Sequence, residues 1–197
     1  NIVLKDLNLE IHKGQTIGII GESGSGKSTF VDLLIGFHKP ISGQILIDGV
    51  DGFQMNQSWK NSIGYVSQSI YLIDSSIKNN IALGIPENEI NELKIKELLL
   101  QVQLESFMGT LEEDVNTEVG ERGIQLSGGQ RQRIGLARAL YHDPDILILD
   151  EATSALDTET EKEVMNSIYS LKGKKTIIII AHRHSTLTMA DCIYKIK

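Results

Sequence analysis

Cysteine is nearly missing from this chain. Cys192 stands alone among 197 residues, so no internal disulfide can form, and a cytosolic setting fits better than an oxidising one. Long apolar runs are missing too. The longest aliphatic stretch, IIIIA over 177–181, is far shorter than the roughly 20 residues a membrane-spanning helix requires. No signal-peptide pattern opens the sequence, so any membrane link is expected from another chain or another segment. Basic charge is scarce where acid is dense: residues 85–118 carry nine Asp or Glu against two Lys and no Arg, within a net charge of -7. No basic stripe stands ready for a nucleic-acid backbone, and the acidic run reads as a solvated helical face. Repeats, low-complexity tracts and long linkers are also lacking. What remains, 41% hydrophobic and 23% charged, is a globular domain long enough to bury an apolar core.

Five short β-branched stretches read as strands: TIGIIG (16–21), QILIDG (44–49), SIGYVSQ (62–68), DILILD (145–150) and KTIIIIA (175–181). The first and the last two are continuously apolar, as expected of strands covered on both faces of a parallel sheet. Phe30, Leu33, Leu34 and Phe37 share one helical face, and Gly36 with Pro40 closes that helix. One helix is predicted over 88–108, with Ile90, Leu93, Ile95, Leu98, Leu99 and Val102 as a broad apolar stripe. Others are predicted over 128–141 and 158–171. This order implies an α/β core with a mostly helical lobe inserted between strands.

Gly21–Thr29, GESGSGKST, sets three glycines, closed by a lysine and two hydroxyls, between an apolar strand and an amphipathic helix. It fits G-x-x-x-x-G-K-[ST] in the strand–loop–helix context that the pattern needs. Glycines let successive amides turn inward as an anion nest, and the helix start adds partial positive charge, which suits a polyphosphate. In that reading Gly21, Glu22, Ser23, Gly24, Ser25, Gly26 and Thr29 form the cradle. Lys27 reaches the terminal phosphates, and Ser28 ligates Mg²⁺. The competing reading is a glycine turn that packs strand on helix, and the flanks favour the phosphate site. Asp150 and Glu151 end the strand ILILD; they suit either a magnesium anchor with a water-activating base or simple helix capping.

LSGGQRQRIGLARAL (126–140) decides between those two. With LSGGQ in place, the chain resembles the nucleotide-binding domains of ABC transporters over essentially its whole length. The resemblance implies an ABC ATPase fold: a P-loop NTPase core of class α/β with a parallel-rich sheet (1–71 and 143–197) and an inserted helical subdomain (72–142). It implies ATP and Mg²⁺ as ligands. Two such domains pair head to tail, so Ser127, Gly128, Gly129 and Gln130 of one cap the nucleotide on the P-loop of the other. Ser127 and the Gly128 and Gly129 amides stand at a helix start, a second anion site. Gln68 in YVSQ is similar to the Q-loop glutamine, a Mg²⁺ or water contact whose loop faces the transmembrane part. SALD (154–157) resembles the D-loop, with Asp157 at the dimer interface. His182 in IIAHR is similar to the switch histidine on the γ-phosphate. His12, His38 and His142 read as surface or capping residues. His184 stands where exporters of the family more often carry Leu, and reads as partly exposed.

TEVGERG (117–123) resembles a loop found in exporters and usually lacking in importers, and YLIDSSIKNNIA (71–82) is similar to lipid and lipid-linked oligosaccharide flippases. The resemblance thus implies an ATPase that powers export of a lipid-linked, peptide or drug cargo. Its expected partners are a second nucleotide-binding domain, with a homodimer favoured, and transmembrane domains of the same or an associated chain. It would work at the cytoplasmic face of the cell (inner) membrane, without nucleic acid. The family's adenine-stacking aromatic would lie before Asn1, so further N- and C-terminal parts of a longer membrane protein are expected. A soluble ABC ATPase of DNA repair or translation is the alternative, but neither a coiled-coil insert nor a second cassette is present, and the acidic lobe disfavours nucleic acid. A non-catalytic regulator would be expected to lack the base, and Glu151 is there.

Overall fold

The computed structural model describes residues 3–55, 58–154, 156–182 and 184–196. They divide into two compact units. One comprises the residues up to Tyr65, His142–Glu151 and those from Lys172 on; the other comprises Val66–Tyr141 and Ala152–Leu171.

The first unit is built on a sheet. Its strands in chain order are β1 (Thr16–Ile20), β2 (Leu46–Ile47), β3 (Val50–Asp51), β4 (Ile63–Val66), β5 (Ile146–Asp150), β6 (Thr176–Ile180) and β7 (Cys192–Lys195). Five of them form one sheet in the order β4-β5-β6-β1-β7. β6 runs parallel to both β1 and β5, and β7 runs parallel to β1. The isoleucine runs predicted as two-sided strands sit in its middle: every residue of β6 is buried, as are four of five in β1. Ile17, Ile19, Ile148, Ile178 and Ile180 pack there with Phe30 and Val31 of α1 (Lys27–Leu34). At 25 cal/mol per Å², each such side chain contributes about 1.5–3 kcal/mol on leaving water.

Two strand expectations change. The stretch 44–49 is not a strand of this sheet: β2 and β3 make a separate antiparallel hairpin with Leu46 opposite Asp51 and Ile47 opposite Val50. Asp48 (φ 50) and Gly49 (φ 82) are its two-residue turn, both left-handed, as a type I′ hairpin requires. β7 went unread because its residues alternate between half-buried and exposed on an edge strand and carry no apolar run.

In the second unit the helices are α2 (Ile77–Ile81), α3 (Glu92–Gln101), α4 (Glu105–Met108), α5 (Gly128–Leu140) and α6 (Thr158–Tyr169), with α5 packed against α2, α3 and α6. The single helix expected over 88–108 is broken. Asn91 caps the start of α3 by accepting from the Lys94 amide at 3.1 Å. At its end Gln103 turns left-handed (φ 59), the Leu104 amide donates to Leu99 O at 2.8 Å and the Gln103 amide to Leu100 O at 2.9 Å. Those two bonds are a Schellman stop with glutamine where glycine is usual, and buried Leu104 and Leu99 supply its apolar contact. α1 stops in the same way at Gly36.

A polar node holds the middle of this unit. Asn80, fully buried, donates through Nδ2 to Ile73 O at 3.0 Å and Ser76 O at 3.0 Å, and its Oδ1 accepts from the Ile73 amide at 2.9 Å. Arg138 of α5 donates to Asn80 O at 2.7 Å and Tyr71 O at 2.9 Å. Burial lowers the Arg138 pKa, the expected cost of desolvating a cation. None of the helices among the described residues is long and apolar enough to cross a membrane.

Candidate active site

Parallel neighbours open their carboxyl ends on one edge, and ligands of such sheets bind there. β1, β6 and β5 are consecutive in the sheet, with Asp150 registered on Ile180. The loop 21–26 after β1, the Asp150–Glu151 pair closing β5 and His182 after β6 therefore share that edge. The Glu151 amide donates to Ile180 O at 3.0 Å, and the Ala181 amide to Ile19 O at 3.1 Å, which carries the ladder to its rim.

The loop is tightly specified. Gly24 (φ 81) and Gly26 (φ 99) are both left-handed, and Gly26 is the N-cap of α1. Lys27, 7% exposed, folds back so that Nζ donates to Gly21 O at 2.9 Å and Glu22 O at 3.0 Å. An ammonium has three donors, and two are spent on holding the loop. Ser25 Oγ is buried without a partner. A loop with an orphan hydroxyl, an amide nest and a tethered cation at a helix start fits a phosphate chain. Ser28 and Thr29 follow in the first turn of α1, with Ser28 exposed. Ser28 and the half-buried Asp150 offer oxygen donors, the chemistry a hard divalent cation takes.

Glu151 has φ 50, an uncommon backbone state for a residue with a Cβ. Its Oε1 lies 2.5 Å from His182 Nε2, with the glutamate side chain 14% and the histidine 46% exposed. Burial is the largest influence on Asp150 and raises its pKa; the Tyr65 hydrogen bond opposes this, Glu151 and Asp32 add to it, and Lys27 opposes it. The Tyr65 hydroxyl donates to Asp150 Oδ2 at 3.2 Å. Partial burial first, and then the Asp150 charge, push the tyrosine up to about 12.

The remaining sequence-derived residues lie in the helical unit. Ser127 caps α5 in a complete capping box: its Oγ accepts from the Gln130 amide at 3.2 Å, and Gln130 Oε1 accepts from the Ser127 amide at 2.8 Å. The Gly128 and Gly129 amides stand outside that box. Gly129 is a glycine by necessity, since a Cβ there would lie 2.3 Å from Thr160 Cγ2. Asp157 caps α6, accepting from the Glu159 and Thr160 amides at 3.1 Å each and from Thr160 Oγ1 at 2.7 Å. The Thr160 hydroxyl, followed by the amides, lowers its pKa. Gln68 Nε2 donates to Ser154 Oγ at 3.4 Å, so this glutamine touches the start of the SALD stretch. Ala155 of that stretch and Arg183 of AHR lie outside the described residues, as does the His184 side chain, expected to be partly exposed. His12, His38 and His142 are exposed, as expected.

Sequence reasoning missed Tyr65, Thr160 and the Asn80–Arg138 node. Tyr65 carries no signal of its own, because its role depends on which strand lies beside β4. Asn80 and Arg138 had a weak one: two polar residues among the apolar positions of helices.

A glycine-rich loop running from a parallel sheet into a helix, with an acidic pair closing the strand two places away at the same edge, defines a P-loop nucleotide-binding ATPase domain. The sequence matches the ABC transporter family over residues 4–154. It is 47% identical over 193 residues to the toxin RTX-I translocation ATP-binding protein of Actinobacillus pleuropneumoniae, covering 98% of this chain and 27% of that protein. It is 44% identical over 192 residues to the ATP-dependent lipid A-core flippase of Pectobacterium atrosepticum, covering 97% and 33%. The structure matches that of a bacterial Atm1-family ABC exporter with ATP bound, with a TM-score of 0.89, 38% identity, 99% of this chain covered and 34% of that one. This chain belongs to the ABC transporter family, as an ATPase domain, and its relatives include a toxin translocation protein, a flippase and a solved exporter. It spans between 14% and 34% of the length of the curated relatives it matches. Nothing in these relationships supports the DNA-repair alternative.

Proposed function

We propose that this chain hydrolyses ATP to power an exporter-type ABC transporter. One observation carries the reading: the phosphate-suited loop, Asp150, Glu151 and His182 all stand at one sheet edge, and the same chain carries a fully capped LSGGQ helix start. Residues 21–29 bind the phosphates, with Lys27 at the β,γ end. Ser28 and Asp150 would hold Mg²⁺, and Gln68 would be a further ligand by its likeness to the Q-loop glutamine. The ion supplies positive charge that stabilises the phosphates as the bond breaks.

Glu151 orients a water and accepts its proton as the water oxygen bonds to the γ-phosphorus. The bond from that phosphorus to the β,γ-bridging oxygen breaks, and the electron pair leaves with ADP. His182 contacts the γ-phosphate, and its Nε2 lies against Glu151 Oε1, which keeps that carboxylate in place.

Ser127, Gly128, Gly129 and Gln130 act on the nucleotide of a second nucleotide-binding domain, with Asp157 beside that interface. Closure on ATP and opening after hydrolysis drive attached transmembrane domains between two states, at the cytoplasmic face of the membrane. The relatives' names, a toxin translocator and a lipid A-core flippase among them, support an exported cargo.

Mixing two dead variants tests the composite site. Lys27→Ala disables one P-loop and Ser127→Arg one signature, so a mixed head-to-tail dimer retains one intact site. Hydrolysis restored on mixing supports the reading; a mixture as inactive as its parts rejects it.

A further inference from the structure

The motifs account for Asp150 but not for what sets its orientation. Tyr65 sits on β4, beside β5 in the sheet, and its hydroxyl donates to Asp150 Oδ2 at 3.2 Å. Among the described residues no other side chain donates to this carboxylate. The surroundings otherwise work against a fixed anion there: the group is half-buried, Glu151 adjoins it, and Asp32 of α1 adds like charge, with Lys27 as the opposing cation. A carboxylate with one oxygen committed to a donor has one orientation, whereas without it the group can rotate between several.

We propose that Tyr65 is a positioning residue for Asp150: it keeps Oδ2 occupied and leaves Oδ1 as the oxygen offered to the divalent cation. This rests on the reading of Asp150 as the cation anchor. Tyr65 need not touch nucleotide or metal, and phenylalanine at this place would keep the ring and remove only the donor. Tyr65 is 39% exposed, so water takes over part of the hydrogen bond when the hydroxyl is gone, and the effect is moderate.

The test is a Mn²⁺ titration of the intact protein, followed by electron paramagnetic resonance, with a non-hydrolysable ATP analogue bound. Tyr65→Phe is expected to raise the Mn²⁺ Kd about threefold to tenfold. Affinity for the analogue in EDTA, where no cation is bound, is expected to stay within about twofold, since that binding depends on the loop. Asp150→Asn is expected to weaken Mn²⁺ by more than Tyr65→Phe does. A Tyr65→Phe Kd equal to that of the parent overturns the role of Tyr65. If Asp150→Asn still shifts the Kd, only that role falls. If neither variant shifts it, the assignment of Asp150 as cation anchor falls as well.

Discussion

His182 Nε2 lies 2.5 Å from Glu151 Oε1, so the residue that follows β6 holds the carboxylate that follows β5. Neither side chain needs a ligand to find the other, because adjacent parallel strands end side by side. The left-handed backbone at Glu151 turns its side chain out of the strand and is one of the few non-glycine positions in this state.

Glu151→Gln keeps the shape of the side chain and removes the base. Hydrolysis should fall by at least about 100-fold, the usual share of general-base catalysis, with MgATP binding retained. An ATP-stabilised dimer should then accumulate and elute early in size-exclusion chromatography. A monomer that still hydrolyses ATP at the parent rate would reject the assignment of the base.

Lys27→Ala should lose nucleotide affinity by more than about tenfold, because both the charge at the phosphates and the tether of the loop disappear. Isothermal titration measures the loss. The two carbonyls that Lys27 holds, Gly21 O and Glu22 O, lose their donor, so the melting temperature of the ligand-free protein should fall too.

Gly129→Ala drives a methyl into Thr160, at 2.3 Å from Cγ2, and should cost about 1–3 kcal/mol by overpacking. Thr160→Ser removes that Cγ2 while keeping the hydroxyl that donates to Asp157. The double variant should therefore recover most of the lost stability in urea unfolding, a coupling that independent sites do not show. Strict additivity would show that the clash lies elsewhere.

Asp191 gives a pH signature. It accepts from Lys172 at 2.6 Å and from the Thr16 amide at 2.8 Å, joining the starts of β7 and β1. The Lys172 interaction, followed by the Thr16 amide, lowers its pKa below the ordinary value of 3.8. A depressed carboxylate contributes stability above its unfolded pKa and loses it as pH falls through the folded one. The melting-temperature gap between the parent and Asp191→Asn should thus be constant near neutral pH and shrink as pH drops below about 4. A gap that stays constant into strong acid would remove the carboxylate from the account.

Much of the site was legible because its parts are contiguous in the chain. Gly21–Thr29 announces itself through three glycines and a lysine set between an apolar strand and a helix. Asp150 and Glu151 stand at the end of an apolar strand, and Ser127 stands at a helix start, although its capping box with Gln130 came from the structure. The isoleucine strands were legible for a similar reason, since burial on both faces leaves a continuous apolar run.

What the amino-acid order determined by itself was local: which segments bury, where a helix starts, which loop has the glycines and lysine that suit an anion. Only the tertiary structure decided that β4 lies against β5, and hence that Tyr65 meets Asp150, or that Thr160 makes a glycine necessary at 129. It alone showed the stop at Gln103, where a Schellman pair of hydrogen bonds holds glutamine in a conformation that helical periodicity cannot reveal. Periodicity reports how a residue faces its own element; which neighbour it faces is settled by strand order and packing, and those depend on the whole chain at once.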